Sequence, residues 1–200
     1  MSKMPFSDRQ STFRAGKLGI GLFLVSLGML FAASLAGFVV IRLELGQRGL
    51  WPNDLPSLPH GLWLSTFTLV VSSITMQWAL HSVRAGRLAQ LQAGMMATTL
   101  LGFCFLVVQS RCWLVWLEPV WQRWHQSNEY RYALTSFYIL TGLHALHVMG
   151  GLIPLTIVTR NAFRGDYSSS FFPGVQYCAM YWHFLDAVWI VLFATLLIGL

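Results

Sequence analysis

Four side chains that can ionise or bind a metal lie in strongly apolar stretches of the chain. His144 and His147 are three residues apart in "TGLHALHVMGG", and His183 and Asp186 have the same spacing in "YWHFLDAVW". Residues three apart share one face of a helix, so each pair can point into a single seam between helices. Ionisable groups inside a membrane are costly and by default mark a functional site, which makes these four the first candidates.

Two kinds of chemistry fit this pattern. A haem held between two helices needs one histidine from each, which His144 or His147 opposite His183 would supply. The alternative is hydrogen-bonded packing, in which Asp186 or a backbone carbonyl orients an imidazole, and a proton-relay or lipid-contact role also stays open. A closed metal site needs about four donors, more than three histidines and one carboxylate easily provide. Hydrogen-bonded packing is therefore the favoured interpretation.

Catalytic motifs are absent from the sequence. There is no Walker-type glycine loop, no HExxH, no Rossmann fingerprint and no Ser/His/Asp arrangement with suitable spacing. The three cysteines, Cys104, Cys112 and Cys178, form no CxxC pair and are expected to be buried free thiols. We therefore expect no catalytic residue, no metal ligand and no cofactor ligand in this chain, and a role in support of a partner.

The elements that must position these residues are membrane-spanning helices. The 200-residue chain is 56% hydrophobic and 10% charged, far below the roughly 25% charged residues of a soluble domain. A spanning helix needs about 20 mostly apolar residues. The sequence thus predicts an all-α fold, a polytopic membrane helical bundle forming one domain over 1–200, with five transmembrane helices at about 18–41, 62–81, 93–113, 132–159 and 175–200.

The loops and basic residues predict how the bundle is oriented. Residues 42–61 and 160–174 are predicted loops, 81–90 a basic hairpin, and 114–131 an amphipathic interfacial segment. Eight of the 13 Lys and Arg residues lie in the N-terminal tail and the second and fourth loops, which favours a cytoplasmic N-terminus and an external C-terminus. The net charge of +6 is interpreted as topology and not as nucleic-acid binding. No secretory signal is expected, since the first apolar run is too long.

At 1.5 Å per residue, the histidine pair lies roughly 18 and 22 Å along the fourth span, and His183 and Asp186 lie roughly 12 and 16 Å along the fifth. All four therefore fall at similar depths, and we expect them to face one another across a seam. Small residues are expected to let helices approach closely there and in the first span, and three hydroxyls of the second span to bond within or between helices. These residues are Gly142, Ala145, Gly150, Gly151, Gly19, Gly21, Gly28, Gly37, Ser72, Ser73 and Thr75.

Three stretches resemble subunit III of the haem–copper oxidases: "YILTGLHALHVMGGLIPLTIVTR" (138–160), "YWHFLDAVWIVLF" (181–193) and "SSITMQWA" (72–79). In the short, five-helix form of this family the last two spans carry Thr-Gly-Phe-His-Gly-x-His-Val and Tyr-Trp-His-Phe-x-Asp-x-x-Trp patterns. The first span (17–40) and Gln109 resemble the family too, so the likeness covers most of the chain. The matching positions in the two patterns are Thr141, Gly142, His144, His147, Val148, Tyr181, Trp182, His183, Phe184, Asp186 and Trp189.

The resemblance implies an accessory, non-redox subunit of a respiratory terminal oxidase in a membrane, expected to be the bacterial inner membrane. Its partners would be catalytic subunit I, which it docks on, and subunit II, which together hold the haems and copper. It would bind phospholipid, with Arg160 similar to a phosphate anchor, and keep proton uptake durable. The candidates for structural or lipid contacts are His144, His147, Arg160, Trp182, His183 and Asp186. The alternatives are a haem-binding electron-transfer protein, or the equivalent subunit of a nitric oxide reductase.

Two carboxylates of the family pattern are missing. Leu27 stands where the first span of the family has a glutamate, and Cys112 stands where a glutamate follows the glutamine of the third span. Leucine and a buried thiol cannot carry protons near neutral pH. The expectation of a proton-buffering role is weakened accordingly, whereas docking and lipid binding are unaffected.

Overall fold

The computed structural model describes residues 6–52, 55, 57–123 and 128–199. These form five helices: α1 (Phe6–Gln47), α2 (Gly61–Arg84), α3 (Leu88–Arg123), α4 (Asn128–Phe163) and α5 (Pro173–Gly199). The predicted all-α fold is confirmed. Each predicted span lies within one helix, apart from Leu200, which is outside the described residues.

Four helices are long and apolar enough to cross a membrane within the part of the chain that the structure describes: α1, α3, α4 and α5. The chain is thus an integral membrane protein. The second predicted span corresponds to α2, which is a helix of 24 residues but is not among those four. Hydroxyl and amide side chains interrupt the apolar sequence of α2, so a membrane span at α2 stays a prediction.

The helices run beyond the predicted spans. The spans were predicted from apolar runs, which leave out the polar or aromatic turns at the helix ends. The predicted hairpin 81–90 is reduced to residues 85–87, and the loop 160–174 to residues 164–172. The predicted interfacial segment 114–131 is largely helix, since α3 continues through Pro119 to Arg123. Trp116 lies inside the bundle with its ring 4.2 Å from that of Phe137, and residues 124–127 lie outside the described residues.

Three helices end in the same way, on a glycine with a positive φ. These glycines are Gly49 (φ 66°), Gly86 (φ 70°) and Gly165 (φ 76°). At the end of α2, the Gly86 N–H donates to the Val83 carbonyl and the Arg87 N–H donates to the Ser82 carbonyl. This Schellman pattern satisfies carbonyls that the helix leaves free, and glycine adopts the left-handed conformation without a Cβ clash.

Replacing Gly86 with alanine is expected to destabilise the chain by about 1 kcal/mol, because a Cβ is unfavourable in the left-handed region. Gly19→Ala is the matched control: Gly19 lies inside α1 with nothing within 4 Å of an added Cβ, and alanine there raises helix propensity. The measurement is unfolding of both variants in detergent, followed by circular dichroism. A Gly86→Ala chain as stable as the Gly19→Ala chain would contradict this account of the turn.

α4 and α5 occupy the middle of the bundle. α5 contacts α1, α2 and α4, whereas α1 contacts only α4 and α5 among the described helices. The Tyr177 hydroxyl donates to the Phe13 carbonyl at one end of the bundle, and Arg42 Nε donates to the Gly199 carbonyl at the other. α1 and α5 therefore run parallel. We call the end with the α1–α2 loop (48–60) the α1–α2 end, and the end with residues 85–87 and 164–172 the α2–α3 end.

Close approaches of helices occur at other glycines than those expected in α1. The prediction of tight contact is wrong at five glycines, where an added Cβ would meet nothing within 4 Å: Gly19, Gly21, Gly37, Gly142 and Gly150. At Gly94 of α3, by contrast, a Cβ would lie 2.8 Å from the Ala79 Cβ. α2 and α3 consequently pack with their backbones close together.

Candidate functional site

His144 is fully enclosed by aromatic rings contributed by three other helices. Its exposed fraction is 0%, and its ring centroid lies 4.9 Å from that of Trp189 on α5. The ring of Phe105 on α3 is 5.7 Å away, and that of Phe31 on α1 is 6.2 Å away. Neither ring nitrogen has a hydrogen-bond partner among the described residues, so this imidazole serves as a packed ring.

His147 points to a different neighbourhood, although it lies only three residues further along α4. It is half-buried, and its Nδ1 lies 2.7 Å from the Leu143 carbonyl oxygen one turn earlier. Because that carbonyl can only accept, Nδ1 carries the proton. The backbone carbonyl of His147 accepts a hydrogen bond of 2.9 Å from the Tyr181 hydroxyl on α5. This contact fastens α4 to α5 at the edge of a cleft.

His183 makes its hydrogen bonds to α2. Its Nε2 lies 3.2 Å from the Gln77 Oε1, and its Nδ1 lies 2.7 Å from the Ser73 Oγ. An amide oxygen only accepts, so Nε2–H donates to Gln77 and Nδ1 accepts from the Ser73 hydroxyl. His183 was expected to face the α4 histidines across a seam, but its hydrogen bonds hold it against α2 instead.

The tryptophans of the α5 motif fasten the same pair of helices. The Trp182 indole N–H donates to the Ser72 Oγ at 2.9 Å, and the Trp189 indole N–H donates to the Thr66 Oγ1 at 2.9 Å. Of the two expected uses of these hydroxyls, within α2 or between helices, Ser72 and Ser73 therefore serve the second in their bonds to α5. Thr66 was missed by sequence reasoning, although its position seven residues before Ser73, on the same helix face, was a usable signal.

Asp186 is buried, with an exposed fraction of 6%. The Ser73 hydroxyl lies nearby but makes its hydrogen bond to His183. Within the described residues neither carboxyl oxygen of Asp186 has a hydrogen-bond partner. Of the two predicted ways to orient an imidazole, the one through Asp186 is thus not formed, whereas a backbone carbonyl, that of Leu143, holds His147.

Gln109 on α3 is, like Asp186, a buried polar side chain without a hydrogen-bond partner among the described residues. It is fully buried, and its amide oxygen and nitrogen both lack partners among the described residues. Leu27 and Cys112, at the two positions where carboxylates were missing, are also buried, at 6% and 3% exposed. The structure therefore places three unpartnered polar side chains inside the bundle, one on each of α3, α4 and α5, and apolar groups where acids were expected.

Haem ligation is poorly served by this geometry. A haem held by His183 and an α4 histidine would need a ring nitrogen of each directed at one gap, yet both nitrogens of His183 are bonded to α2. His144 is separated from open space by three aromatic rings. In residues 6–52, 55, 57–123 and 128–199, no three His, Cys, Asp or Glu side chains are grouped closely enough to hold a metal ion.

A cleft of about 390 Å³ opens between α1, α4 and α5. Its walls are almost entirely apolar, and His147 and Tyr181 are among its few polar residues. Gly151 makes room for the Tyr181 ring, because a Cβ there would lie 2.5 Å from a ring carbon. Arg160 is exposed in the last turn of α4, further toward the α2–α3 end. An apolar cleft with a cation beyond one end is suited to an amphiphile.

The comparison with known proteins agrees with these motifs. The family model for cytochrome c oxidase subunit III matches residues 7–199. The chain belongs to the cytochrome c oxidase subunit III family. Cytochrome c oxidase subunit 3 of Pylaiella littoralis is 30% identical over 185 residues, which are 90% of this chain and 65% of that protein. The chain thus spans about two thirds of the length of this relative.

Other relatives carry the same name. Cytochrome c oxidase subunit 3 of Oryctolagus cuniculus is 31% identical over 188 residues, covering 90% of this chain and 68% of the relative. The protein of that name from Synechocystis sp. is 50% identical over 58 residues, which are 28% of this chain and 25% of that protein. The predicted family is confirmed.

Proposed function

We propose that this chain is the accessory, non-redox subunit III of a haem–copper terminal oxidase, docked on catalytic subunit I. The family match over residues 7–199 carries the proposal. The hydrogen bonds of His183, Trp182 and Trp189 support the non-redox role, since they join α5 to α2. Side chains occupied in this way hold helices together, whereas redox centres need free ligands. Subunits I and II are the expected partners and hold the haems and copper.

The membrane arrangement follows the helix pattern and the charge bias. The chain forms one domain in which all five helices cross the membrane, α2 with its polar residues turned toward α3 and α5. The N-terminus and the α2–α3 end face the cytoplasm, and the α1–α2 end and the C-terminus face outward. The bacterial inner membrane is the proposed location.

Phospholipid is the proposed ligand of the cleft between α1, α4 and α5. An acyl chain would lie against the apolar walls, beside the exposed edges of His147 and Tyr181. Arg160 would hold the phosphate, because a guanidinium donates two parallel hydrogen bonds to phosphate oxygens. His144, Trp182, His183 and Asp186 act as structural residues in this proposal, because they are buried or bonded within the bundle.

The docking proposal is tested by purifying a tagged chain from its native membrane. We expect a haem–copper oxidase to copurify and to lose no haem or copper per catalytic subunit when this chain is removed. A loss of haem in proportion to this chain, with a Soret band that disappears in His183→Ala, would instead assign the haem to this chain. Copurification with an enzyme that reduces nitric oxide and not oxygen would assign this chain to a nitric oxide reductase.

Lipid binding predicts a specific loss on Arg160→Gln. We expect tightly bound phospholipid per purified chain to fall several-fold, because the phosphate loses a charged hydrogen-bond donor. Arg164→Gln is the matched control, an exposed arginine four residues further on, just beyond the end of α4. The measurement is phosphorus and lipid mass analysis after extended detergent washing. Equal retention by both variants would remove Arg160 from the site.

A further inference from the structure

A second and larger cavity lies at the α1–α2 end, away from the cleft described above. Its volume is about 680 Å³. One wall is the end of the α1–α2 loop, the second is the first turn of α2 with Leu64, and the third is the α3 segment from Val107 to Pro119. None of its lining residues belongs to α1, α4 or α5, so it is separate from the proposed lipid cleft.

Two cation-capable side chains line this cavity, one at the start of α2 and one on α3. Arg111 is exposed on α3, and among the residues that the structure describes it has no ion pair or hydrogen bond. His60 precedes the first turn of α2 and makes no side-chain capping bond to that helix. An imidazole offers at least one N–H donor in either protonation state, and a guanidinium offers five. Together they present donors and positive charge to whatever fills the cavity.

The polarity of the cavity lining changes along the membrane direction. Arg111 is 23 residues beyond Leu88, the first residue of α3, which places it about 35 Å along that helix. A hydrocarbon core is about 30 Å thick, so this depth corresponds to the headgroup region. Leu64 and Val107, 56% and 61% exposed, lie one turn deeper than His60 and Arg111 respectively. The cavity therefore has its cationic side chains at the level of Arg111 and His60, with Leu64 and Val107 one turn deeper and the apolar α3 residues Val115 and Pro119 further out.

We propose that this cavity binds one anionic phospholipid. Its phosphate accepts hydrogen bonds from the Arg111 guanidinium and the His60 imidazole, and an acyl chain runs down the groove formed by Leu64 and Val107. Charge complementarity selects an anionic headgroup, and the bidentate fork of arginine suits a phosphate in particular. The site lies at the opposite end of the bundle from Arg160, so it serves the other leaflet. It does not depend on the oxidase assignment, because the chain itself supplies every contact.

The test uses the full chain reconstituted in phosphatidylcholine nanodiscs with a trace of phosphatidylglycerol that carries a photoreactive acyl chain. Crosslinked peptides are mapped by mass spectrometry. We expect crosslinks at Leu64 and Val107, and roughly tenfold fewer in Arg111→Gln, as for loss of about one charged hydrogen bond. Arg111→Lys should recover part of the signal, and Arg84→Gln, an exposed arginine at the α2–α3 end, should leave it unchanged.

Three results would overturn the proposal. A phosphatidylcholine probe with the same photoreactive chain that crosslinks equally well would show only the lipid annulus. Loss of crosslinking in excess inorganic phosphate, with no change in excess unlabelled phosphatidylglycerol, would show a site for a free anion. Equal crosslinking of Arg111→Gln and wild type would show that the arginine does not bind the headgroup. Circular dichroism of each variant establishes that the helices are intact before the crosslinks are compared.

Discussion

Gly94→Leu is expected to separate α2 from α3 and to destabilise the chain by about 3 kcal/mol or more, the upper range for overpacking. A Cβ at Gly94 would lie 2.8 Å from the Ala79 Cβ, 3.1 Å from the Ala79 Cα and 3.1 Å from the Thr75 carbonyl oxygen. Two of these three atoms belong to the α2 backbone, so no side-chain rotation relieves the clash. The only adjustment is a movement of whole helices.

The same displacement removes an adjacent polar contact. The Thr75 Oγ1 lies 2.9 Å from the Thr98 Oγ1 across the α2–α3 interface, one turn along α3 from Gly94. Gly142→Leu is the matched control, because a Cβ at Gly142 meets nothing within 4 Å. Unfolding in mixed micelles, followed by circular dichroism, measures both variants. If Gly94→Leu unfolds at the same detergent ratio as Gly142→Leu, the close approach of α2 and α3 is wrong.

The helical fold was largely predictable because its main signal, the length of the apolar runs, is simple to read. Runs of about 20 apolar residues in lipid can only be helices, since every backbone group must be bonded within the segment. The end of one helix was not predictable in this way. The aromatic and polar residues of 114–123 do not meet a hydropathy threshold, yet α3 continues through them because Trp116 finds a partner in Phe137. Tertiary packing of this kind is not encoded in the hydropathy of one segment.

The four polar residues of α4 and α5 are evident from the sequence, whereas the neighbouring helix that each of them faces is not. Depth arithmetic placed His144, His147, His183 and Asp186 at similar levels, but depth does not give the rotation of a helix about its own axis. α5 is rotated so that His183 faces Ser73 and Gln77 of α2. The sequence marks the hydroxyls of α2 as bonding groups, but it does not show which polar residue of α5 each hydroxyl meets.

Burial also divides the candidates by what each can reach. His144 and Asp186 are enclosed within this chain, so neither can contact another subunit or a lipid headgroup directly. His147 borders the open cleft, and Arg160 is exposed. Of these four candidates, only His147 and Arg160 are therefore placed to contact a lipid or a partner directly, whereas His144 and Asp186 contact only this chain.

Two buried residues one helical turn apart provide the sharper test of that packing. Thr141 and His144 are both 0% exposed on the same face of α4. The Thr141 hydroxyl donates to the Phe137 carbonyl at 2.7 Å and accepts from the Trp113 indole N–H at 3.0 Å. His144 has no partner for either ring nitrogen among the described residues. Substitution by apolar residues of similar size should therefore have opposite effects at the two positions.

Thr141→Val is expected to destabilise the isolated chain by about 1 kcal/mol, because it leaves the Trp113 N–H without its acceptor. His144→Leu is expected to stabilise it by about 1 kcal/mol, since the cost of burying an unpartnered polar ring, about 1–3 kcal/mol, exceeds the loss of its aromatic contacts, about 0.5–1.5 kcal/mol. Equilibrium unfolding in one detergent system measures both, with the double variant as a check on additivity. A destabilised His144→Leu chain would contradict this account, because the imidazole would then contribute more through its contacts than its burial costs.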